Sequence, residues 1–559
     1  MGLNFSLIYG LQLTPGIWTD VAPDVLVEPS TIGKTGMPNN KTLTRVANTG
    51  TLTFSLRNDE SCSAGVANRY TPGHANCVAG FTMGLAVRLQ VKYSYLPSVT
   101  VFYGTIPKGG IKVVTLIGTG YVEVQAVDYM DQLARYKMLL PPYTTLKTME
   151  EIATLIVAEG NKQPLGTYFQ AGSTTYNTVF DLVRSWTTAM GELNKVCLSE
   201  PGYAYVSPFL TGLGLSDPGN LDECLITEGQ MTRSNTINLS QVITTIDESV
   251  VRRITEAGDV RITEGGDIRI VDLAATTGDA EFDNSMFTFE SSHASNYTNS
   301  VKVIIRPRKF DTGGTTVLAS NDKPFRLISG ETKVMQLNFR DPANLATNVT
   351  AILPLTPLVE GTDYKFTVNE DGTGGDISAN LTAGLSYKEG MEGIKFTMTP
   401  TATGWVFILQ ARGNGIYTYN PVTSKAENAT LILADGEVPL TFDMAYRDVP
   451  LDGDTIAAAF LDKFENKETI VDRADYVANR SVFLLMAFLM LRIGSKVRVK
   501  NTRQGVSEEF FINGKEFTIT PGPVIHYVFI LCPAAYSTYA YWELEVVGKS
   551  EIEATTWVA

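Results

Sequence analysis

The sequence predicts a mainly β protein with an α+β unit inserted into it, and three observations predict that class. Runs alternating apolar and polar residues recur along most of the chain, bounded by Gly, Pro, Asn or Asp, as strands joined by tight turns do. Helical spacing of apolar residues is concentrated between about 125 and 210 and returns from Asp454. The composition agrees, because 48 Gly and 25 Pro with 44% hydrophobic and 19% charged residues supply both cores and many turns. A chain of 559 residues exceeds one core and divides into several domains.

The first 115 or so residues read as strands. Trp18-Thr19-Asp20-Val21 opens the pattern, Thr51 to Asn58 alternates cleanly, and Gly84 to Val91 follows. Phe102-Tyr103-Gly104, Gly110 to Val114 and Gly120 to Val127 continue it. A helix is predicted from Asp128 to Tyr136, and Thr148 with Glu151 forms a capping box for a second helix whose apolar face is Ile152, Leu155 and Ile156. A third helix is predicted from Asn177, with Val179, Leu182, Val183 and Trp186 at helical spacing and Trp186 and Met190 assigned to core. Pro201-Gly202 turns the chain into a strand from Tyr203 to Val206.

Residues 207 to about 300 are rich in loop signals and hold a short repeat, Arg253 to Val260 and then Arg261 to Ile268, read as a small meander or exposed ribbon. Strands resume at Val301–Ile305, Val334–Phe339, Tyr364–Val368, Ile394–Met398 and Val406–Gln410, and Asp-Gly and Gly-Gly pairs between strands predict a β-sandwich. A helix from Asp454 carries Ile456, Ala457, Phe460, Leu461 and Phe464 on one side. The apolar run Val482 to Leu491 reads as a strand buried on both faces. Leu491 to Leu531 then reads as four short strands closing a barrel-like sheet, punctuated by Asn513-Gly514 and Pro521-Gly522-Pro523.

Two stretches carry a family resemblance. The order W-T-D-V, T-L-T-F-x-L-R-N-D, G-x-x-V-R-L, F-x-G-T-I and V-x-A-V-D-Y-M-D-Q-L over about 130 residues is similar to the first domain of bacteriophage tail hub proteins. The pattern L-x-x-G-x-x-V-x-V, F-F-I-x-G and H-x-x-x-x-L from Leu491, with Tyr541-Trp542-Glu543-Leu544 near the end, resembles their closing domain. The resemblance implies two barrel-like β ring domains, with an α+β unit and a β-sandwich inserted between them. The expected division is 1–124, first ring domain; 125–210, α+β unit; 211–296, loop-rich segment; 297–425, β-sandwich; and 426–559, second ring domain and tail. It also implies a homotrimer with pseudo-sixfold symmetry in the virion, at a phage tail tip or baseplate. The expected neighbours are other phage tail proteins: a distal tail or tube protein, the tape measure, and tip or fibre proteins. The hub connects the tail tube to host-contacting parts and encloses the channel for DNA ejection.

The residues themselves point away from chemistry. The three histidines, His74, His293 and His526, stand beside no nucleophile motif, and no G-x-S-x-G, H-E-x-x-H or nucleotide loop occurs. Gly33-Lys34-Thr35 fails as a phosphate loop because Glu28 occupies the position that needs glycine. Cys62, Cys77, Cys197, Cys224 and Cys532 include no C-x-x-C, so free thiols made in a reducing cytoplasm are expected, which the resemblance makes that of the host bacterium, with no metal and no cofactor. Cys62, His74 and Cys77 lack a fourth ligand nearby, and Asn369 to Asp376 lacks the closing Glu of a calcium loop, with Asn380 in its place. MGLNFSLIYG lacks the basic start of a signal peptide, and the ten residues from Val482 are about half of a membrane span.

The formal net charge of −14 disfavours specific nucleic-acid binding. Lys496, Arg498 and Lys500 alternate along one strand and are the interface candidates, facing acids of a neighbouring subunit. The alternative is a carbohydrate- or surface-binding β-protein presenting Trp405, Tyr417 and Tyr419 near Gly413-Asn414-Gly415. A place for those aromatics inside a sandwich or along its rim outweighs it.

Overall fold

The computed structural model describes residues 5–28, 30–38, 45–93, 98–116, 119–160, 162–172, 174–180, 185–209, 221–228, 281–283, 288–311, 316–341, 347–352, 356–387, 393–467, 469–501 and 503–533. The repeat at 253–268 and Tyr541 to Leu544 lie outside them.

The largest element is a 15-stranded sheet built from both ends of the chain. Its path runs Thr288–His293, Thr469–Val477, Val524–Pro533, Val506–Thr520, Thr31–Gly36, Thr51–Arg57, Thr119–Val127, Val99–Thr105, Ala86–Tyr93, Phe5–Thr14 and Ile17–Asp20. The chain is thus mainly β, as expected, but no described sheet closes into a barrel. Its two halves share one apolar cluster, in which Leu52, Phe54, Val87 and Val124 from the first half meet Val497, Phe510, Phe517 and Tyr527 from the second.

Three expectations for the closing region change. The four short strands are three, Lys496–Asn501, Val506–Thr520 and Val524–Pro533. Asn513-Gly514 is no hairpin turn but a bulge within one 15-residue strand, between Ile512 and Gly514. The apolar run is buried from Leu484 to Leu491, as expected, but it is helical, over Val482–Met490. Ser481 caps it, its hydroxyl accepting the Leu484 amide at 3.2 Å. Leu, Met and Ala favour helix, and a segment apolar all round leaves no period to separate helix from strand.

The α+β unit holds α1 (Tyr129–Arg135), α2 (Met149–Ala158) and α3 (Ala189–Ser199). The α2 capping box is present: Glu151 donates its amide to the Thr148 hydroxyl at 3.4 Å, and its carboxylate accepts the Thr148 amide at 3.0 Å. The helix predicted from Asn177 does not form there, and Leu182 and Val183 of its expected face lie outside the described residues. Thr175–Val179 and Trp186–Thr188 are strands, and α3 starts after Thr188, whose hydroxyl accepts the Gly191 amide. Trp186 is 71% exposed and so not core, whereas Met190 packs against the core of the unit. β-Branched and aromatic residues at 175–179 favour a strand, and a chance 3–4 spacing hid it.

Two further cores are built from the part of the chain between Val301 and Phe464. Leu318, Phe366, Phe396, Met398, Val406 and Leu409 fill the space between a six-stranded sheet centred on Gly404–Thr418 and the three-stranded sheet Lys333–Asn338, Gly393–Pro400, Leu381–Ser386. Val301–Ile305, expected among those strands, belongs elsewhere. It pairs antiparallel with Val422–Glu427 and parallel with Pro439–Met444. The helix Pro450–Phe464 covers that small sheet, burying Ile456, Ala457, Phe460 and Phe464 against Val301, Val303, Ile305 and Phe442.

Candidate functional site

The first and last β regions meet where Thr31–Gly36 pairs antiparallel with Val506–Thr520, from Gly514 opposite Gly36 to Ile519 opposite Thr31. Gly33 faces Phe517, and a Cβ on Gly33 would stand 2.1 Å from the Phe517 ring. The ring occupies the place of the missing side chain. Gly514 permits a similar approach, because a Cβ there would come within 2.4 Å of the Met37 carbonyl. The rim is charged: Glu516 pairs with Lys34 at 3.2 Å and with Arg473 at 3.0 Å. Gly33-Lys34-Thr35 therefore serves the joint between the two halves.

Beside that joint, Lys515 donates to the Leu491 carbonyl. It borders a cavity of about 30 Å³ lined by Thr35, Thr100, Ser207, Phe488 and Arg492. Burial, reinforced by Arg492, pulls its ammonium down to about 7. The space holds about one water molecule.

Lys496, Arg498 and Lys500 alternate with the buried Val497, Val499 and Asn501, so they do occupy one face. Glu509 lies in register with Arg498 on the next strand and pairs with Lys496 at 3.0 Å. Acids of the same sheet thus answer part of this basic charge.

The other sequence candidates do not converge. His74 lies in the loop after Thr51–Arg57, its Nδ1 accepting the Asn76 amide at 3.1 Å, while His293 and His526 sit on two different strands. Among the described residues no group of three or more His, Cys, Asp or Glu side chains is arranged to hold a metal ion. All five cysteines are free thiols, and burial pushes Cys197 and Cys224 up to about 12. Of the proposed sugar-facing aromatics, Tyr417 is 5% exposed and packed in a core. Trp405 lies at the other end of the same strand, roughly 40 Å along it at ~3.3 Å per residue. Trp405 and Tyr417 do not share a platform, and Tyr419, just past the end of that strand, is 39% exposed. Among the described residues no helix is long and apolar enough to cross a membrane.

Sequence reading missed the groups in this site whose partners are remote. Gly33 and Phe517, and Lys515 and Arg492, leave no local pattern.

The molecule is thus a mainly β chain whose two ends form one sheet around inserted units. No protein-family profile and no curated protein matches it. Among solved structures it is similar to a tail protein from Neisseria meningitidis, at 8% identity and a TM-score of 0.43, over 94% of this chain and 96% of that one. It is also similar to the 43 kDa tail protein of a prophage of Shewanella oneidensis, at 8% identity and a TM-score of 0.42, over 95% and 99%. A third is an Escherichia coli component of the type VI secretion system, described as similar to the T4 bacteriophage tail proteins gp27 and gp5, at 8% and 0.35 over 95% and 76%.

Proposed function

We propose that this protein is a structural subunit of a phage tail tip or baseplate, forming its hub as a ring of three chains. The single observation that carries this reading is the joint between the ends of the chain. Thr31–Gly36 and Val506–Thr520 hydrogen-bond into one sheet over a common core, so each chain offers two β regions side by side. The sequence resemblance to tail hubs falls on these two regions. Three chains then present six β regions, which suits a sixfold tube above and a threefold tip below. A closed ring also buries sheet edges that would otherwise invite open-ended association.

In this reading the chain does no chemistry of its own. Catalysis requires groups of shifted acidity held together in a cleft, and the three histidines lie on separate elements. The net charge of −14 favours passage of DNA through the ring without adhesion. Lys496, Arg498 and Lys500 face a neighbouring subunit in the virion, and the chain is made in the bacterial cytoplasm.

Electron microscopy of the purified chain and of tails containing it tests the proposal. A threefold ring at the distal end of the tube is expected, and a location away from the tube axis would overturn it. Submicromolar, salt-sensitive binding of duplex DNA would overturn the lumen reading, and peptidoglycan turnover abolished by one carboxylate substitution would overturn the non-enzymatic one.

A further inference from the structure

The α+β unit leans on the large sheet through the strand Leu221–Glu228, and two adjacent acids on it make different contacts. Asp222 accepts Arg88 Nη1 at 3.0 Å and the Thr100 hydroxyl, and Arg88 lies over the Trp18 ring at 4.3 Å. Glu223 is 5% exposed and accepts the Tyr129 amide at 3.2 Å. The next amide, that of Met130, donates to Asp128 at 3.1 Å, and Asp128 is 3% exposed. Two carboxyls therefore sit on consecutive amides in the first turn of α1. The helix supplies one as its own cap, and the docking strand brings the other.

The groups around the pair do not neutralise it. Asp131 on α1 adds negative charge beside Asp128, and Tyr103 on Val99–Thr105, Tyr129 on α1 and Cys224 are the other titratable groups that feel Glu223, with Asp222 also acting on Tyr103 and Arg492 on Cys224. Arg88 is engaged by Asp222. Farther along the packed helices, Glu151 caps α2 and Glu192 binds Lys195. Burial, then the charge of Asp128, raises Glu223 to about 8 against the pull of the amides it accepts. Burial likewise raises Asp128 to about 7.

We propose that the junction between the α+β unit and the large sheet is a pH-sensitive latch, closed while the Asp128–Glu223 pair holds protons and loosened when both carboxyls are charged. On loosening the two carboxyl O–H bonds break, the protons pass to water, and no other covalent bond changes. Because both folded values lie above the unfolded ones, the stabilisation is complete in acid and is lost as pH rises toward about 8. The latch does not depend on the tail-hub reading.

Amide exchange in the full-length protein between pH 5.5 and 8.5, corrected for intrinsic rates, tests it. The opening equilibrium of the Tyr129 and Met130 amides is expected to rise by up to about ten-fold per pH unit per proton lost. Amides of the remote strand Gly404–Thr418 stay level and serve as the reference. Glu223→Gln keeps an acceptor for the Tyr129 amide and flattens the rise, and Asp128→Asn flattens it while still capping α1. If one variant fails to fold, the other carries the test. Equal pH slopes in the wild type and a folded variant, or no rise in the wild type, overturn the latch.

Discussion

Arg447 shows how much one side chain can join. It is 8% exposed and donates to the Ser199 carbonyl at 3.0 Å, to Thr174 at 2.8 Å and to Asp452 at 3.1 Å, tying the end of the small sheet to α3. Its neighbour Tyr446 donates to Glu192 at 2.7 Å, and that carboxylate is wholly buried. Arg447→Ala is expected to cost about 2–3 kcal/mol, since three hydrogen bonds from a charged donor would be lost and the buried Ser199 carbonyl left bare. A drop in the denaturant midpoint at unchanged slope checks this. Leu433→Ala, at a side chain 91% exposed, should shift stability by no more than about 0.5 kcal/mol. None of this was legible locally, because Tyr446 and Glu192 lie 254 residues apart.

At the scale of elements, burial was easier to read than conformation. Val482–Met490 declared itself as core by composition, yet only its caps and the absence of β-branched residues after Val482 pointed to helix. Phe488 on this helix is 2% exposed and meets the Phe517 and Tyr527 rings at 5.9 and 4.6 Å. Phe488→Ala should therefore cost about 3–5 kcal/mol by thermal or denaturant unfolding, as other large core truncations do. The α2 capping box was legible because all its parts lie within four residues. The strand at Thr175–Val179 was misread because a short stretch can satisfy two periods at once.

At the scale of the whole molecule, the joint between the ends is the feature most open to test. Gly33→Ala places a methyl group inside the Phe517 ring position. It should cost about 1–3 kcal/mol through overpacking and disturb the pairing of Thr31–Gly36 with Val506–Thr520, detectable as faster amide exchange in both strands. The inserted sheets allow the opposite experiment. Ile305 and Val422 are directly opposite in one antiparallel pair, so residues 308–418 can be excised and the ends rejoined by a short loop. The shortened chain is expected to keep the large sheet and the small sheet under Pro450–Phe464, because their cores are separate. Loss of cooperative unfolding would show that the excised strands are needed by the rest.

The sequence by itself determined the mainly β class, the α+β insertion, the first-region strands, the α2 cap and the resemblance to tail hubs, because each rests on neighbouring residues or on their order along the chain. Tertiary structure alone decided that the two ends share one open sheet, that Val301–Ile305 pairs with Val422–Glu427 and Pro439–Met444, and that Asp128 and Glu223 meet at one helix terminus. Strand pairing and burial are set by contacts between residues far apart in the chain, and alternation along one strand specifies which face is apolar without naming the strand beside it.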